Sequence, residues 1–563
     1  MERIWLKSYE AGVPATVSYP PVPVYHFLEE NARRFPGYTA VLLAGPKFSS
    51  IITYGQLDGL ANRFANALIR LGVRRGDRVA IQLPNFPQFV FAFYGALKAG
   101  AAVVPVNPLY KAPDLSLVLK NSGARVVLTL PRFMDMLGEV KAGTSLESII
   151  VTEPYDYFPF PWKQLAWYRL RGERRPAGGL RLPALMRRES PRAPGLGVAP
   201  DDLAVVQYTG GTTGVPKGAM LTHQNLVANF TQMRSWLTDL REGRERFLSV
   251  APFFHVYGLT VALNVPISVA ATVICVVMGL FDTRLVAEQI ARHRPTIFPG
   301  VPAIYAAINH LKDVQRYDLK SVRVCVSGSA PLPVEVQTQF ERLTGASVVE
   351  GYGLSEASPG THVNPVYGRR KVGSIGLPLP DTDARIVDTE TGEGKLPVGE
   401  QGELVVRGPQ VMRGYWNAPE ETAATLRGGW LHTGDIARMD EDGYFFIVDR
   451  KKDLVIVGGE KVYPREIEEI LLEHPAVKEA AVTGVPHRVR GELLVAQVVL
   501  KDGAGADPSQ SRRELMGFMR QRLPSYKVPR RIEIVEALPK TAVGKVLRRE
   551  IREAVGPQVD DDH

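Results

Sequence analysis

The sequence predicts an α/β protein: a large N-terminal part of parallel sheets covered by helices, with a small β-rich unit, and a small mobile α+β C-terminal domain. Three observations lead to this prediction. Short apolar runs that suit buried strands alternate with amphipathic helical patterns over roughly the first 370 residues. Closely spaced strands and turns come next, and a compact mixed segment begins after the charged run at residues 449–453.

The strand candidates of the first part are continuous apolar runs rather than alternating ones. Parallel strands are buried on both faces, so they read in this way. The runs are RVAIQLP, AAVVPVNP, ARVVLTL, LAVVQYT, TVICVVM, VRVCVSG and ASVVEGYG, and the clearest helical patterns among them are YGQLDGLANRFANALIRLG and DTRLVAEQIARH. The 563 residues, 45% hydrophobic and 23% charged, have an ordinary globular composition.

The spacing of the predicted strands and helices changes towards the C-terminus. The segments KVGSIGLPLP, ARIVDTETGE and GELVVRG predict the β-rich unit. The run DRKKD is the candidate linker, and the sequence beyond it predicts a helix (PREIEEILLEHP), two strands (VKEAAVTGVP, LLVAQVVLK) and a second helix (RRELMGFMRQRLP). We therefore expect an N-terminal domain at 1–448, a linker at 449–453 and a C-terminal domain at 454–563.

One stretch imitates a transmembrane helix. Leu259–Phe281 is 23 residues long and carries no charge, which is enough to cross a bilayer. Asn264 and Pro266 interrupt it, and VAATVICVV is rich in the β-branched residues of buried strands. We predict a core helix followed by a strand.

Most of the net charge of +9 lies in an insert at about residues 155–195. Residues 163–192 contain nine basic and two acidic residues, a net +7, beside Trp162, Trp167 and Tyr168. Basic charge next to Trp and Tyr suits the headgroup boundary of an anionic membrane. A solvated, mobile insert is the alternative. No nucleic acid is expected as a partner, because no nucleic-acid-binding module accompanies the charge.

The cysteines and the N-terminus bear on the compartment. Cys275 and Cys325 both lie in apolar runs, which predicts neither a disulfide framework nor a metal site. The start of the chain, MERIWLKSYEAGVP, has no apolar core like that of a signal peptide. The expected location is cytoplasmic, with peripheral contact at the inner face of the membrane left open.

The strongest local signal is the glycine- and threonine-rich segment Tyr208–Gly218, which follows the strand LAVVQ. Its glycines permit tight curvature close to an anion, while its threonine hydroxyls and Lys217 can bind phosphate oxygens. The spacing differs from that of the P-loop. The segment predicts a cradle for a polyphosphate, with a turn that binds no ligand as the alternative.

Further motifs follow in order along the chain. They are PFFHVYGL with His255, SGSAPLP with Gly328 and Ala330, EGYGLSE ending at Glu356, GWLHTGD ending at Asp435, DRKKDLVIVGGEKVYPREIE beginning at Asp449, and LPKTAVGK ending at Lys545. From about Tyr54 to Arg549, this series resembles the adenylate-forming superfamily of acyl-CoA synthetases, adenylation domains and luciferases. Each motif alone is moderate evidence, whereas the ordered set is highly specific.

A narrower resemblance concerns the acid. The segment Gly428–Lys452 looks like the signature of fatty acyl-CoA synthetases, and the basic, aromatic insert is similar to that of bacterial long-chain fatty acid–CoA ligases. Gly428 stands where aspartate is more usual, and Ser355 stands where threonine is commoner. The departure at Gly428 weakens the match to the subclass.

The resemblance implies a two-step reaction that uses ATP, Mg²⁺ and CoA. A fatty carboxylate attacks the α-phosphorus of ATP to give acyl-adenylate and pyrophosphate, and CoA then displaces AMP. Both steps need charge stabilisation more than a protein nucleophile, since the substrates supply their own. Fatty acid and CoA are the implied partners, and a homodimer is left open.

The resemblance also assigns roles to single residues. Lys545 is expected to be the catalytic lysine at the attacking carboxylate and the α-phosphate, and His255 to contact the acyl carboxylate or adenylate. Glu356, assisted by Thr209, is expected to bind magnesium, because this hard cation prefers oxygen ligands. The apolar segment from Tyr257 onward is expected to line the alkyl tunnel, with ordinary core packing as the alternative.

The remaining expected contacts are those with the nucleotide and CoA. The first group surrounds the phosphates and the adenine: Thr209, Gly211, Thr212, Thr213, Gly214, Lys217, Gly328, Ala330, Glu350, Gly351, Tyr352, Gly353 and Ser355. The second group comprises Asp435 and Arg450 at the ribose, Lys452 as the hinge of the C-terminal domain, Gly458 and Gly459 beside the pantetheine channel, and Lys461 near the CoA phosphates.

Rival functions remain at this point. An acyl-adenylating enzyme for another acid, or one that loads a carrier-protein thiol, shares every ATP motif. A phosphotransferase or ATPase would release ADP rather than AMP. A fatty acid binding protein would not need Lys545, Glu356 and Asp435.

Overall fold

The computed structural model describes residues 3–170, 178–209, 216–276, 282–458, 460–487, 491–501, 503, 507–540 and 546–555. The chain divides into two compact units. The first unit comprises Met1–Asp383 and Arg407–Leu431, and the second comprises Ala384–Val406 and His432–His563.

The strands are short, as expected for apolar runs between helices. In chain order they are β1 (Thr39–Ala44), β2 (Ser49–Thr53), β3 (Arg78–Ile81), β4 (Ala102–Pro105), β5 (Val126–Thr129), β6 (Ser148–Val151), β7 (Leu180–Arg181), β8 (Leu203–Thr209), β9 (Lys217–Thr222), β10 (Arg246–Ser249), β11 (Thr272–Val276), β12 (Ile297–Gly300), β13 (Val324–Ser327), β14 (Ser347–Gly353), β15 (Gly360–Val363), β16 (Leu377–Pro378), β17 (Asp383–Val387), β18 (Gly402–Arg407), β19 (Gly414–Tyr415), β20 (Leu426–Arg427), β21 (Trp430–Met439), β22 (Phe445–Arg450), β23 (Val455–Val457), β24 (Glu460–Val462), β25 (Val477–His487), β26 (Gly491–Leu500) and β27 (Arg531–Ile534).

Most of the helices belong to the first unit. They are α1 (His26–Arg34), α2 (Tyr54–Arg70), α3 (Pro87–Lys98), α4 (Ala112–Ser122), α5 (Met134–Lys141), α6 (Trp162–Leu170), α7 (Leu182–Met186), α8 (His223–Trp236), α9 (Val265–Ser268), α10 (Thr283–His293), α11 (Pro302–Asn309), α12 (Val334–Thr344), α13 (Pro419–Thr425), α14 (Pro464–Leu472), α15 (Pro508–Arg520) and α16 (Arg548–Val555). A π-helix spans Gly258–Asn264, and 3₁₀ turns lie at Ile4–Ser8, Pro131–Phe133, Pro154–Tyr157, Val314–Arg316, Ser355–Ala357, Lys451–Asp453 and Ser525–Lys527.

Two large sheets, both mostly parallel, form the framework of the first unit. One has the order β16-β15-β14-β13-β12-β10-β11-β1-β2, and the other has the order β19-β9-β8-β4-β3-β5-β6-β7. Their central pairs, such as β13 with β14 and β3 with β4, are parallel. Helices α10, α11 and α12 pack on the first sheet, and α4 and α5 pack on the second. The predicted arrangement of parallel sheets covered by helices is confirmed, with all seven predicted strands in place.

One predicted strand belongs elsewhere. The segment KVGSIGLPLP, assigned from the sequence to the β-rich unit, contributes β16 to the edge of the nine-stranded sheet, where Leu377 pairs with Val363. Gly376, at φ +90°, makes this possible because its backbone lies directly against the backbone of Val363 and Asn364. A side chain at Gly376 would not fit there.

The apolar segment that imitates a membrane span is broken as predicted. It forms the buried π-helix Gly258–Asn264, then α9, then β11. The side-chain amide of Asn264 donates to the backbone oxygen of Leu259 at 2.8 Å, and the Tyr94 hydroxyl donates to the Asn264 side-chain oxygen at 2.9 Å. Among the residues that the structure describes, no helix is long and apolar enough to cross a membrane.

The second part of the basic insert is not the solvated, mobile segment that one interpretation predicts. It forms β7 and α7 and then follows α2, where Asn66 donates to the backbone oxygens of Ser190 and Arg192 at 2.9 and 3.0 Å. Arg70 forms an ion pair with Glu189 at 2.6 Å. This part is therefore fixed to the first unit by polar contacts that the sequence pattern does not reveal.

The second unit contains two smaller sheets. One is built mainly from segments of the predicted β-rich unit, which was assigned from the sequence to the N-terminal part, and the other from the predicted α+β segment. In one, β17, β18 and β21 follow each other, and β22 also pairs with β21. The other has the order β24-β23-β26-β25, with β27 paired to β26. Helices α14 and α15 cover this second sheet around a core that includes Ile467, Leu471, Val482, Leu515 and Met519.

Candidate active site

The candidate residues of the first unit follow the carboxyl ends of parallel strands. Thr209 ends β8, Gly328 follows β13, Gly353 ends β14, and His255 lies in the loop after β10. In α/β sheets, ligands bind at this edge because loops and helix N-termini converge there. Three of these residues follow strands of the nine-stranded sheet, and Thr209 ends a strand of the eight-stranded sheet, so each lies at the kind of strand end that is expected to bind a ligand.

The glycine- and threonine-rich loop is closed by a strand pair. Thr209, the last residue of β8, is in register with Lys217, the first of β9, and its hydroxyl donates to the Lys217 backbone oxygen at 3.4 Å. The predicted phosphate contacts Gly211, Thr212, Thr213 and Gly214 lie outside the described residues. The structure thus defines the two ends of the loop, and both ends carry predicted phosphate ligands.

Tyr415 joins Lys217 to Glu356, and we call these three residues the phosphate-side cluster. The Tyr415 hydroxyl donates to Glu356 Oε1 at 2.7 Å, and the Lys217 ammonium lies 5.6 Å from the centre of the Tyr415 ring. Lys217 also lies 3.8 Å from the carboxylate of Glu421. Burial, together with the negative charge of Glu356, raises the pKa of Tyr415, which therefore remains a hydrogen-bond donor.

Glu356 itself is held by its backbone. It lies in the 3₁₀ turn Ser355–Ala357, and its backbone oxygen accepts a hydrogen bond from the Met412 amide at 2.7 Å. The neighbouring Ser358 hydroxyl donates to the backbone oxygen of Gln410 at 2.8 Å. The segment 410–415 therefore fixes both the backbone and the side chain of the predicted magnesium ligand.

Tyr415 is a candidate site residue that sequence reasoning missed. It lies on β19, which pairs with β9 so that Tyr415 faces Ala219 in the register. The surrounding run RGYWN carries one charged residue, an arginine, and gives no sign that the tyrosine would contact a carboxylate. The strand pairing, rather than the motif, brings the hydroxyl to Glu356.

The residues predicted around the adenine share one sheet edge. Ser327 is in register with Glu350 on the adjacent parallel strand, so Gly328 and Gly351 are the next residues at this edge, and Ala330 follows in the loop after Gly328. The rings of Tyr352 and His362 lie 6.0 Å apart on the antiparallel pair β14–β15.

Gly328 has a packing reason to be glycine. An added Cβ would lie 3.2 Å from the Tyr257 ring, whose hydroxyl donates to the Val326 backbone oxygen at 2.6 Å. Tyr257 therefore fixes the distance between the segment at Gly328 and the segment that contains His255.

His255 lies in a loop anchored by two amide side chains. Its Nδ1 accepts a hydrogen bond from the Tyr257 amide at 3.3 Å, which leaves Nε2 as the protonated nitrogen of the neutral ring. Gln207 donates to the Phe254 backbone oxygen at 3.1 Å, and the Asn85 amide donates to the backbone oxygens of Ser249 and Ala251 at 2.9 and 2.8 Å.

Asn85 is a second residue that sequence reasoning missed. It lies in the loop after β3, and its side-chain oxygen also accepts from the Phe253 amide at 2.8 Å. One amide therefore binds three backbone groups of the loop before His255. The run QLPNFP gives no sign of this, because every partner is at least 164 residues away.

The second unit brings together the two predicted ribose ligands. Asp435 on β21 is in register with Arg450 on β22, and the Arg450 Nε lies 3.1 Å from Asp435 Oδ1. Asp435 is only 5% exposed, and its amide donates to the Thr433 hydroxyl at 3.1 Å. The carboxylate is therefore held in a fixed orientation.

The hinge and CoA candidates also lie in the second unit. Lys452 belongs to the 3₁₀ turn Lys451–Asp453, and its pKa is lowered by burial and by the neighbouring Arg450 charge. Gly458, at φ +61°, begins the turn between β23 and β24, while Gly459 lies outside the described residues. Lys461, expected near the CoA phosphates, forms an ion pair with Glu390 at 3.0 Å.

Lys545 lies outside the described residues. The described residues on either side are bridged, since Lys540 pairs with Val546 and the Leu547 amide donates to the Pro539 backbone oxygen at 2.9 Å. The described residues on both sides of Lys545 therefore belong to the second unit.

The donor set fits a magnesium ion that takes most of its ligands from phosphates and water. Over the described ranges, no group of three or more His, Cys, Asp or Glu residues could hold a metal ion. Glu356 offers a carboxylate whose second oxygen and remaining lone pairs suit a hard cation. A single carboxylate is what an ion bridging phosphates requires.

Comparisons with known proteins agree with this geometry. The AMP-binding enzyme family matches residues 28–416, and the AMP-binding enzyme C-terminal domain matches residues 466–545. A long-chain-fatty-acid–CoA ligase of Bacillus subtilis (strain 168) is 45% identical over 560 residues, 98% of both chains. A feruloyl-CoA synthase of Amycolatopsis sp. is 38% identical over 528 residues, 93% of this chain and 98% of that one.

A solved structure extends the likeness to three dimensions. An anthranilate–CoA ligase in complex with anthranoyl-AMP superimposes with a TM-score of 0.83 at 30% identity, covering 95% of this chain and 97% of the other. The ordered motifs, the sheet topology and the full-length relatives agree, so the chain belongs to the AMP-binding enzyme family, within the adenylate-forming superfamily that its motifs resemble.

Proposed function

We propose that this protein is a long-chain fatty acid–CoA ligase of the AMP-forming type. It activates a fatty acid with ATP to an acyl-adenylate and pyrophosphate, and it then transfers the acyl group to CoA with release of AMP. The observation that carries the proposal is the phosphate-side cluster of Lys217, Tyr415 and Glu356 at the mouth of the glycine- and threonine-rich loop. It combines a cation for phosphate oxygens with an oriented carboxylate.

The proposed acid is long-chain for two reasons. The relative that is 45% identical over nearly all of both chains bears that name. In addition, the segment after His255 is apolar and buried from Gly258 to Ser268, which suits the wall of an alkyl tunnel. Each methylene buried there would contribute roughly 0.8 kcal/mol to binding.

In the first step the carboxylate oxygen of the fatty acid attacks the α-phosphorus, and the bond to the β-phosphate breaks. His255 orients the carboxylate, and Lys545 neutralises the charge that develops between carboxylate and phosphate. Thr209 and Lys217 hold phosphate oxygens, while Glu356 holds the magnesium ion. When bound, magnesium supplies positive charge to the triphosphate.

The nucleoside is held by two separate groups. Gly328, Ala330 and the strand end at 350–353, followed by Ser355, surround the adenine. Asp435 accepts hydrogen bonds from the ribose hydroxyls, because a carboxylate offers two acceptor oxygens, and Arg450 holds that carboxylate in place.

In the second step the CoA sulfur attacks the acyl carbonyl carbon to form the thioester, the bond to the AMP phosphate oxygen breaks with AMP as the leaving group, and the thiol proton passes to solvent. The C-terminal domain at 454–563 turns about Lys452 in the linker 449–453 between the two steps. Gly458 and Gly459 line the pantetheine channel, where close backbone approach needs glycine, and Lys461 exchanges Glu390 for a CoA phosphate.

The test is product identification. The purified protein is incubated with ATP, magnesium and fatty acids of increasing length, with and without CoA. AMP, pyrophosphate and a CoA-dependent thioester, with the highest kcat/KM on long chains, are expected. ADP as the product, or no turnover with any acid, would refute the proposal.

A second candidate is a CoA ligase for an aromatic acid. The feruloyl-CoA synthase relative, at 38% identity over 93% of this chain, favours it. Adding ferulate and benzoate to the fatty acid series separates the two candidates, because an aromatic acid would then give the highest kcat/KM. AMP formation without a CoA thioester would indicate a carrier-protein thiol as the acceptor.

The first part of the basic insert supports a further element of the proposal, contact with an anionic membrane. Helix α6 exposes Leu165, Trp167 and Tyr168 by 47%, 49% and 58%, and Phe160 just before it is 81% exposed. Lys163 and Arg169 are exposed on the same helix, and Arg187 and Arg188 are exposed in the second part of the insert. Apolar rings beside basic groups suit the headgroup region of acidic lipids.

Vesicle binding tests this element. Replacing Trp167 and Tyr168 together by serine should weaken sedimentation with phosphatidylglycerol vesicles, and high salt should weaken it in the unchanged protein. Ile51→Ser, at another exposed apolar side chain, is the control. Equal binding to phosphatidylcholine vesicles, or binding that does not respond to salt, would exclude an electrostatic membrane contact.

A further inference from the structure

Asp449 is a buried carboxylate that the proposed reaction leaves without a role. It is 3% exposed and lies near the end of β22. Its Oδ1 accepts from the Arg450 amide at 2.7 Å, and its Oδ2 accepts from the Arg465 amide at 2.9 Å. Arg465 is the second residue of α14, so this carboxylate lies at the positive end of a helix.

Arg548 provides the charge that faces Asp449. Its guanidinium binds both oxygens of Glu468, at 2.6 and 3.2 Å, and one oxygen of Asp453 at 2.9 Å. The same group lies 3.4 Å from Asp449 Oδ1. Burial raises the pKa of Asp449 and Arg548 opposes that rise, so the carboxylate depends on this cation for its charge.

These contacts cross the charged run at residues 449–453. Asp449 belongs to β22, where its register partner is Ile436, one position from the pair Asp435–Arg450. Arg465 and Glu468 lie on α14, and Arg548 begins α16, three residues after Lys545. The Asp449 carboxylate therefore joins the strand that bears the ribose pair to the base of the loop that bears the catalytic lysine.

We propose that Asp449 is a latch that holds the C-terminal domain in one of its two working poses. This inference rests on the proposed function, since it assumes two half-reactions separated by rotation about Lys452. Such a rotation moves α14 and α16 relative to β22. The hydrogen bonds from Arg465 and Arg548 to Asp449 then open, whereas the bonds from Arg548 to Glu468 and Asp453 move with the domain.

A latch makes a specific kinetic prediction. Removing it disfavours the pose in which it is closed, so the half-reaction carried out in that pose slows and the other does not. In Asp449→Ala, we expect the ratio of adenylation rate to thioester formation from supplied acyl-adenylate to change at least tenfold. Arg549→Ala is the matched control, because Arg549 is exposed on α16 beside Arg548 and, among the described residues, forms its ion pair along that helix, with Glu553 at 2.7 Å.

A merely structural role gives a different result. Both half-reactions would then fall by the same factor, together with the melting temperature, and the ratio would remain that of the unchanged protein. That outcome would overturn the inference. Arg548→Lys is a second variant that keeps a charge near Glu468, and we expect it to shift the ratio in the same direction as Asp449→Ala.

Hydrogen exchange tests the latch in the unchanged protein. The amide of Arg465 is followed in a non-hydrolysable acyl-adenylate analogue complex, before and after CoA is added. Exchange at this amide should differ at least tenfold between the two, while the α16 amide of Arg549 should not respond. If the protein makes acyl-CoA but exchange at Arg465 stays constant, the latch is refuted while the proposed function stands. A protein that makes no acyl-CoA refutes the proposed function.

Discussion

Replacing Tyr415 by phenylalanine removes one hydroxyl from the phosphate-side cluster and keeps the ring beside Lys217. The hydroxyl donates to Glu356 at 2.7 Å, and a hydrogen bond to a charged group is worth about 1.5–3 kcal/mol. If the bond orients Glu356 for the metal and the phosphates, its loss lowers kcat/KM for adenylation by roughly 10- to 150-fold.

The assay is pyrophosphate release without CoA, measured over a series of magnesium and ATP concentrations. Tyr415→Phe should need more magnesium for half-maximal rate, while thioester formation from supplied acyl-adenylate stays near that of the unchanged protein. Tyr367→Phe is the matched control, because that exposed hydroxyl also donates to a carboxylate, Asp239, at 2.7 Å. Unaltered magnesium dependence in Tyr415→Phe would refute the role given to this bond.

The remaining predictions concern four other residues. Lys545→Ala should abolish adenylation and spare thioester formation from supplied acyl-adenylate, as stopped-flow or quenched assays of each half-reaction would measure. Lys452→Pro should spare adenylation and impair acyl transfer, because proline fixes the backbone at the proposed hinge. Gly258→Ala should lower the midpoint of urea unfolding by an amount equivalent to about 3 kcal/mol, since an added Cβ would lie 2.7 Å from a backbone oxygen of the preceding turn. Burial lowers the pKa of His223 to about 4. Between about pH 6.5 and 4, His223 is therefore protonated in the unfolded chain but neutral in the folded one. Stability should therefore fall by roughly 3 kcal/mol as the pH drops through this window, and His223→Gln should flatten the slope in pH-dependent unfolding.

Each of these predictions has a control or a contrary outcome. Equal loss of both half-reactions in Lys545→Ala would refute its assignment, and Lys452→Ala tests whether the side chain rather than the backbone matters there. Gly517→Ala is the counterpart of the Gly258 variant, because no described residue outside the backbone of its own helix lies within 4 Å of an added Cβ there. His26→Gln is the control for the histidine variant. If the pH dependence of stability is as steep in His223→Gln as in His26→Gln, His223 is not the source of that dependence.

Burial explains why the strands could be predicted. Runs such as Leu203–Thr209 and Val324–Ser327 are buried on both faces of a parallel sheet, so hydrophobicity alone marks them. The strand at Leu377–Pro378 was assigned to the wrong sheet, because a two-residue pairing depends on where the backbone of Val363 already lies.

The site was only partly predictable for a related reason. Residues such as Asp435 and Arg450 could be found from the sequence because they are charged and lie within recognisable motifs, and in the structure they form an ion pair. Tyr415 and Asn85 act through contacts with distant backbone and side chains, Tyr415 with a carboxylate 59 residues away, and no local pattern encodes such a contact. The roles of all the site residues, the domain boundary at 449–453 and the homodimer stay predictions, and Gly211, Gly459 and Lys545 also lie outside the described residues.

The π-helix at Gly258–Asn264 has a consequence for how the proposed acyl site can change. Its i→i+5 turns hold more residues per turn than an α-helix, and Asn264 closes the last one with its side chain. Deleting one residue would let the segment tighten to an α-helix while α9 and β11 keep their places in the sheet. The number of residues in this segment, and not only their identity, therefore determines the shape of the wall after His255, so the loss of a single codon is a way of reshaping that wall that no substitution offers.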